Sequence, residues 1–230
     1  YKVTTSAMQD YSRNPSPGFT GSRYGTVQDL DATTEEFTLK KDRSFTFAID
    51  KLDKDETGNV LNGASALARQ QRQVVIPEVD TYVYGVMTAG AGHKPTPVTL
   101  TAENIYTEIL KAGNALDNAD VPEDGRQLVV TPDVFVLMKR CKDIIMETNI
   151  GNDLRIKGVI KVPAARLPKN FGFMLAHPVA TVAPTKLEDY KIHEDPPGIS
   201  GSLVEGRICY DAFVLENKAK AIYYQENKTV

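Results

Sequence analysis

The sequence has little of what catalysis, metal binding and membrane insertion draw on. Two cysteines occur among 230 residues, Cys141 and Cys209, both within apolar runs. They read as buried free thiols rather than as a disulfide framework. Three histidines, His93, His177 and His193, stand apart from one another and from both cysteines, with no HxxxH, HxH or CxxC spacing that would mark a zinc site. No apolar run approaches the roughly 20 residues needed to cross a bilayer, so no membrane partner is expected. An excess of one charge is missing too. Lys and Arg number 27 against 30 Asp and Glu, a formal net charge of -3, which lacks the basic surplus of a chain built to clamp nucleic-acid phosphates.

Loops that hold nucleotides and elbows that hold nucleophiles are absent as well. Gly90-Ala-Gly92-His-Lys94 has neither the GxGxxG nor the Walker spacing that cradles phosphates, and there is no GxSxG. The nearest approach to a metal motif is Asp53-Lys-Asp55-Glu-Thr57-Gly58-Asn59, which supplies the first half of an EF-hand loop. Its twelfth position, however, is Ala64, where a bidentate Glu is needed. Acidic groups leading into a helix are the better reading. Thr131-Pro-Asp133 opens a helix whose free N–H groups could take an anion, but Asp133 already supplies the complementary charge and a cap outweighs a ligand. No catalytic, cofactor-binding or metal site is expected, and no cofactor. A small-ligand α/β enzyme domain using the Thr131 helix start with Asp133 and Arg126 is the rival to be tested.

What is present is a folded composition, 41% hydrophobic and 25% charged, in a recognisable order of parts. Residues 1–33 are polar, rich in Ser, Thr, Gly and Pro, and without sustained period, which predicts an extended arm. In EEFTLKKDRSFTFAID, Phe37, Leu39, Phe45, Phe47 and Ile49 keep one parity across the charged Lys40-Lys41-Asp42-Arg43. This reads as a β-hairpin over 34–56 with a solvated charged tip, or as two strand segments. A stripe from Val60 to Val86 at three-to-four spacing predicts a long helix over about 57–89, bent at Pro77 where a backbone bond is lost. AGAGHKPTP, 89–97, is a boundary. Beyond it, Thr101 caps a helix with Ile105, Ile109, Ala112 and Leu116 inward, Leu128 to Val130 form a strand buried on both faces, and Thr131 caps a second helix with Val134, Leu137, Met138 and Cys141 inward. Residues 151–230 hold short runs around Ile160, Phe173, Val182, Ile192, Tyr210 and Ile222, the mark of a strand-dominated half.

In that order these parts resemble the major capsid proteins of tailed bacteriophages with the Hong Kong 97 type of fold. The segments that carry the resemblance are FTLKKDRSFTFAIDKLDKDET, LARQQRQVVIPEVDTYVYGVM, ALDNADVPEDGRQLVVTPDVFVLMK and YDAFVLENKAKAIYY. They are similar to that family's E-loop return, spine helix, axial-domain opening and closing strands. The resemblance implies an α+β fold divided into an N-terminal arm (1–33), an E-loop hairpin and connector (34–56), a peripheral domain with the spine helix (57–97), an axial domain (98–183), return strands (184–217) and a closing strand (218–230). It also implies a protein that assembles with itself into hexamers and pentamers, encloses double-stranded DNA in an icosahedral head, works beside portal and scaffolding or decoration proteins, and is assembled in the host bacterial cytoplasm. Lys40, Lys41, Arg43, Phe45 and Phe47 are then the expected contacts between subunits. An encapsulin-like compartment shell is the near alternative. The lysine-to-asparagine crosslink of one family member is not expected, because Lys40 or Lys41 with Asn217 or Asn227 match by residue type only.

Overall fold

The computed structural model describes residues 2–3, 8–13, 19–26, 29, 32–33, 36–58, 60, 62–141 and 156–228. The chain divides into two units, Tyr1–Thr38 and Leu39–Val230.

In the first unit the expected single arm is a chain paired with itself. Strand β1 (Lys2–Val3) runs antiparallel to β2 (Ala32–Thr33), with Lys2 opposite Thr33 and Val3 opposite Ala32. Further along, the Ser12 N–H donates to the Arg23 carbonyl (3.0 Å). The Gln9 side chain accepts from the Thr26 N–H (2.8 Å) and donates to the Thr26 carbonyl (3.2 Å), and the rings of Tyr11 and Tyr24 meet edge to face at 5.2 Å. The two positions of each of these pairs add to 35, which is the signature of one antiparallel register from root toward tip. The polar composition hid this pairing because no apolar alternation accompanies it. Among the described residues whose burial is known, none of this unit is buried.

The second unit holds two larger sheets. The first expected hairpin, 34–56, is instead one unbroken strand, β3 (Lys41–Asp50), followed by a short helix, α1 (Lys51–Glu56), capped by the Asp50 carboxylate on the Leu52 N–H (2.8 Å). The parity that ran through Lys41 and Arg43 is that of a continuous strand, and their charges are met from neighbouring elements rather than by solvent at a tip. Gly58, at φ 60°, ends the α1 turn in the left-handed region that favours glycine. Asn59, the last residue of the EF-hand-like run, lies outside the described residues.

The long helix begins six residues later than expected, at Gly63, where Asn62 caps the Ala64 and Ser65 N–H groups. It then runs as α2 (Gly63–Gln70), a π-helical stretch (Gln71–Val75) and α3 (Ile76–Gly90). At about 1.5 Å per residue its 63–90 span is about 42 Å. Pro77 cannot donate to Gln73, and the wider π turns lie immediately before it, where the Ile76 N–H reaches back to the Gln71 carbonyl.

Helix α4 (Ile105–Asp117) buries Ile105, Ile109, Ala112 and Leu116 completely. It starts later than a simple Thr101 cap predicts, although the Ile105 N–H does donate to the Thr101 carbonyl (3.1 Å). Strand β4 (Gln127–Val130) and helix α5 (Pro132–Arg140) follow as expected, with Thr131 Oγ1 accepting from the Val134 N–H (3.3 Å). The strand-rich half contains β5 (Gly158–Lys161), β6 (Phe171–Ala176), β7 (Thr181–Val182), β8 (Thr185–Glu194), β9 (Gly201–Tyr210), β10 (Phe213–Val214) and β11 (Ile222–Glu226). Each of the six anchor residues read from the sequence lies in one of them.

One sheet has the order β11-β6-β4-β5, with β4 and β5 parallel and the other pairs antiparallel. Helices α4 and α5 touch each other, and α4 lies against β6 and β11. This sheet centres the main core, which also takes in Tyr84 and Met87 of α3. The other sheet is antiparallel, β3-β9-β8, with α2 against β9. No helix among the described residues is long and apolar enough to cross a membrane.

Candidate functional site

The charged run of β3 is fixed by a polar cluster where that strand, α3 and the end of β9 meet. Asp211, only 2% exposed, follows β9 directly. Its Oδ2 accepts from the Lys40 N–H (2.8 Å), and its Oδ1 accepts from the Tyr82 hydroxyl (2.7 Å) and the Ala212 N–H (2.8 Å). Burial works against the carboxylate charge, but these donors and the nearby Lys40 charge outweigh it and hold the Asp211 carboxyl below the usual range. The same hydrogen bond, with burial and the Asp211 charge behind it, pushes the Tyr82 phenol up to about 12. Lys41 places its ammonium 4.8 Å from the Tyr82 ring centroid. Arg43 donates to Glu78 of α3 at 2.6 Å, and Tyr82 packs edge to face on Tyr210 at 5.8 Å. Both Asp211 oxygens accept from groups of this chain, and the Tyr82 proton is held on one of them. The cluster is a clamp that ties the entry of β3 and the exit of β9 to the long helix.

The aromatic pair of β3 has an equally local role. Phe45 and Tyr190 both lie opposite Gly206 in the register of the three-stranded sheet, and their rings stack at 6.0 Å, with Phe47 6.1 Å from Phe45 on the other side. A Cβ at position 206 would press on both the Phe45 and Tyr190 rings, so the glycine makes room for the aromatic layer. Of the five expected contact residues, four thus have partners within the chain, and Lys40 is exposed and contributes its backbone N–H. Asp211, Tyr82 and Glu78 were missed because their pairing joins residues far apart in sequence. Gly206 did carry a signal, as a glycine inside the strand pattern LVEGRICY.

Beside the clamp, a shallow groove of about 640 Å³ runs along α3 between Lys41, Pro77, Thr81, Tyr82, Val86 and Ala89. A smaller cavity of about 150 Å³ lies between Phe45, Val74, Val75, Val79 and Ile208. Helix α3 is strongly apolar, yet Thr88 is its one buried residue. An apolar helix this open has faces left for something else to cover.

The residues of the rival ligand site do not form one. Arg126 is 1% exposed and turned inward, where it meets Asp117 (2.7 Å) and donates to the Val121 (2.7 Å) and Pro122 (3.0 Å) carbonyls, while Asp133 is exposed on the first turn of α5. The histidines remain apart. His93 stacks on Tyr223, His177 lies between the Val179 N–H and the Asp124 carbonyl, and His193 is 3.4 Å from Glu205. Among the described residues no three potential metal-binding side chains converge. Both cysteines are free. Cys141 is buried as expected, but Cys209 is only half-buried, because its position in β9 puts it on the open face of the sheet between Asp42 and Leu187. Asn227 uses its side-chain oxygen on the Leu100 N–H (3.0 Å).

The sequence matches no protein-family model and no curated protein. Solved structures do match. One from Mycobacterium phage Che8 is 16% identical, with 97% of this chain and 82% of that chain covered at a TM-score of 0.69. The capsid structure of the cyanophage P-SCSP1u is 14% identical, with 100% and 82% covered at a TM-score of 0.68. A virus-like particle from Pyrococcus furiosus is 13% identical, with 86% and 81% covered at 0.62. At these identities the likeness is one of architecture, and this chain has the α+β fold of phage capsid structures.

Proposed function

We propose that this chain is a major capsid protein of a tailed bacteriophage, whose copies associate in rings of six and five and close into a shell around double-stranded DNA. The observation that carries this reading is a fold shared with phage capsid structures over essentially the whole chain. Two features of the chain support it. The long helix keeps most of its apolar residues only half-buried, with Val74 and Ile76 exposed, and the paired segment 1–38 has Met8, Tyr11, Phe19 and Tyr24 exposed with no buried residue among those described. Both are costly to leave in water and are covered if other copies lie against them. We assign the role of the reaching loop to this N-terminal hairpin, in place of 34–56. The peripheral part then comprises the long helix with β3, β8 and β9, and the axial part the four-stranded sheet with α4 and α5. Portal and scaffolding or decoration proteins would be its partners, and the virion head its location. A shell subunit needs no catalytic centre.

Electron microscopy and sedimentation of the purified protein test this. Rings or closed particles are expected, and a chain that remains monomeric under all assembly conditions would overturn the proposal. The likeness to a virus-like particle leaves an encapsulin-like shell as the second reading. Particles that protect double-stranded DNA from nuclease favour the phage head, and particles holding only protein cargo favour the compartment.

A further inference from the structure

The start of the long helix carries a chemistry of its own. Asparagine precedes glycine once in the sequence, at Asn62-Gly63. In such a pair the main-chain nitrogen attacks the preceding side-chain amide most readily, because glycine has no Cβ to crowd the approach. Asn62 is exposed and caps α2, its Oδ1 accepting from the Ala64 (2.8 Å) and Ser65 (3.3 Å) N–H groups. The Gly63 N–H, first in the helix, has no acceptor within it.

The closed cap keeps the two from reacting. A five-membered ring forms only when the Gly63 nitrogen eclipses the Asn62 Cβ about the Cα–C bond, and at ψ 147° they are far from eclipsed. Gly63 is also buried, so close to the three-stranded sheet that a Cβ there would lie 3.0 Å from Ile192 Cγ2, and hydroxide reaches its N–H poorly. This protection is thin. Gly63 is the one buried residue of α2, and Ala64 and Ser65 beside it are exposed. The other ties of the first turn are the Ala66 N–H on the Asn62 carbonyl (2.9 Å) and Ser65 Oγ, which reaches the Val60 (3.2 Å) and Asn62 (3.0 Å) carbonyls. A turn with so little buried contact opens without the rest of the fold.

We propose that Asn62-Gly63 is a self-modification site, deamidated when the first turn of the long helix opens. The Gly63 nitrogen gives its proton to hydroxide and bonds to Asn62 Cγ. The Cγ–Nδ2 bond breaks, and Nδ2 leaves as ammonia with a proton taken from water. The resulting succinimide adds one water, giving aspartate if the side-chain carbonyl is attacked and isoaspartate if the main-chain carbonyl is. Aspartate at this position remains a cap and places a negative charge where the helix favours one. Isoaspartate lengthens the main chain by a methylene just before Gly63, where the helix lies against Ile192 and Val204. The proposal is independent of whether copies of the chain form a shell.

Incubation of the folded chain in mildly alkaline buffer, followed by peptide mapping by mass and an isoaspartate assay, tests it. Asn62 should convert in the native chain, at least about tenfold more slowly than in the chain unfolded in urea. Ala64→Gly weakens the first turn and should speed native conversion about two- to fivefold. Ser65→Glu completes a capping box with Asn62 and should slow it by a similar factor. Both should match the parent when unfolded, and Asn62→Ser, which keeps a cap without an amide, should abolish the modification. Equal rates in native and unfolded chains would show that the cap protects nothing. A native rate that ignores both substitutions, in variants whose melting curves show them folded, would exclude opening of the first turn as the route. Either result overturns the proposal, as does a native chain left unmodified while the unfolded one converts completely.

Discussion

The two larger sheets draw on the same β-branched and aromatic residues and end in opposite conditions. All six residues of β6 are buried, and so are three of the four in β4. β8, ten residues long, has none buried. The four-stranded sheet belongs to a continuous core with α4 and α5. The three-stranded sheet is covered by the long helix on one face, while on the other Asp42, Asp189, Lys191, Glu205 and Arg207 stand in alternating sign, with Arg207 gripping Asp42 through two hydrogen bonds of 2.9 and 2.6 Å. The first sheet holds stability that belongs to a single chain. The second, with the open helix beside it, leaves far more of its surface to water.

The largest expected effect lies in the first sheet. Ile109, fully buried in α4, should cost about 2–5 kcal/mol when replaced by Ala, read from denaturant unfolding, and the same amount whether or not the protein can assemble. A loss below about 1 kcal/mol would mean that this core repacks freely, and the contrast between the sheets would be broken.

Next comes the clamp joining the second sheet to the helix. Asp211→Asn keeps the shape but turns one acceptor into a donor facing either the Lys40 N–H or the Tyr82 hydroxyl, so a loss of about 1–3 kcal/mol is expected. The pH dependence has a definite sign. The Asp211 carboxyl is lowered in the folded chain, so its contribution is complete above the unfolded value of about 3.9 and disappears as pH falls through the folded one. The unfolding free energy of Asp211→Asn should therefore change less with acidification than that of the parent, and equal slopes below about pH 4 would remove Asp211 from this role. At the alkaline end Tyr82 behaves in the opposite way. Its phenol is raised to about 12, so its contribution is complete below about 10, the ordinary tyrosine value, and is lost as pH rises toward 12. Tyr82→Phe should cost about 0.5–1.5 kcal/mol at neutral pH and should lessen the decline between pH 10 and 12.

The sequence was most legible where local rules and burial agree. The stripe Ile105, Ile109, Ala112, Leu116 and the run Leu128 to Val130 mark a helix face and a two-sided strand by period alone, and Thr131-Pro-Asp133 marks a cap by residue type. It was least legible where the decisive partner is remote in sequence. The charges of Lys41 and Arg43 suggested a solvated tip until Tyr82 and Glu78 were seen to meet them. The pairing of residues 2–3 with 32–33 leaves no apolar alternation to read. The shape of the 121–126 turn depends on Arg126, which the sequence offered only to the rival ligand site and whose guanidinium is almost wholly buried. The clamp at Asp211 could not be inferred at all, since nothing near it in sequence distinguishes it from other acidic residues.

The smallest effect gives the finest control on the comparison. Leu187 lies on the open face of β8, 37% exposed, opposite Cys209. In the isolated chain Leu187→Ala should cost about 1 kcal/mol or less, because a side chain more than a third exposed leaves no closed cavity when it is truncated. Paired with Ile109→Ala under the same conditions, it separates burial from strand propensity, since both replacements remove a branched aliphatic side chain from a regular element. If Leu187→Ala costs as much as Ile109→Ala, the open face is a core in its own right and the two sheets do not differ as argued. If the costs differ by the expected severalfold, the stability of the lone chain resides mainly in the four-stranded sheet, and the open face of the other contributes little to it.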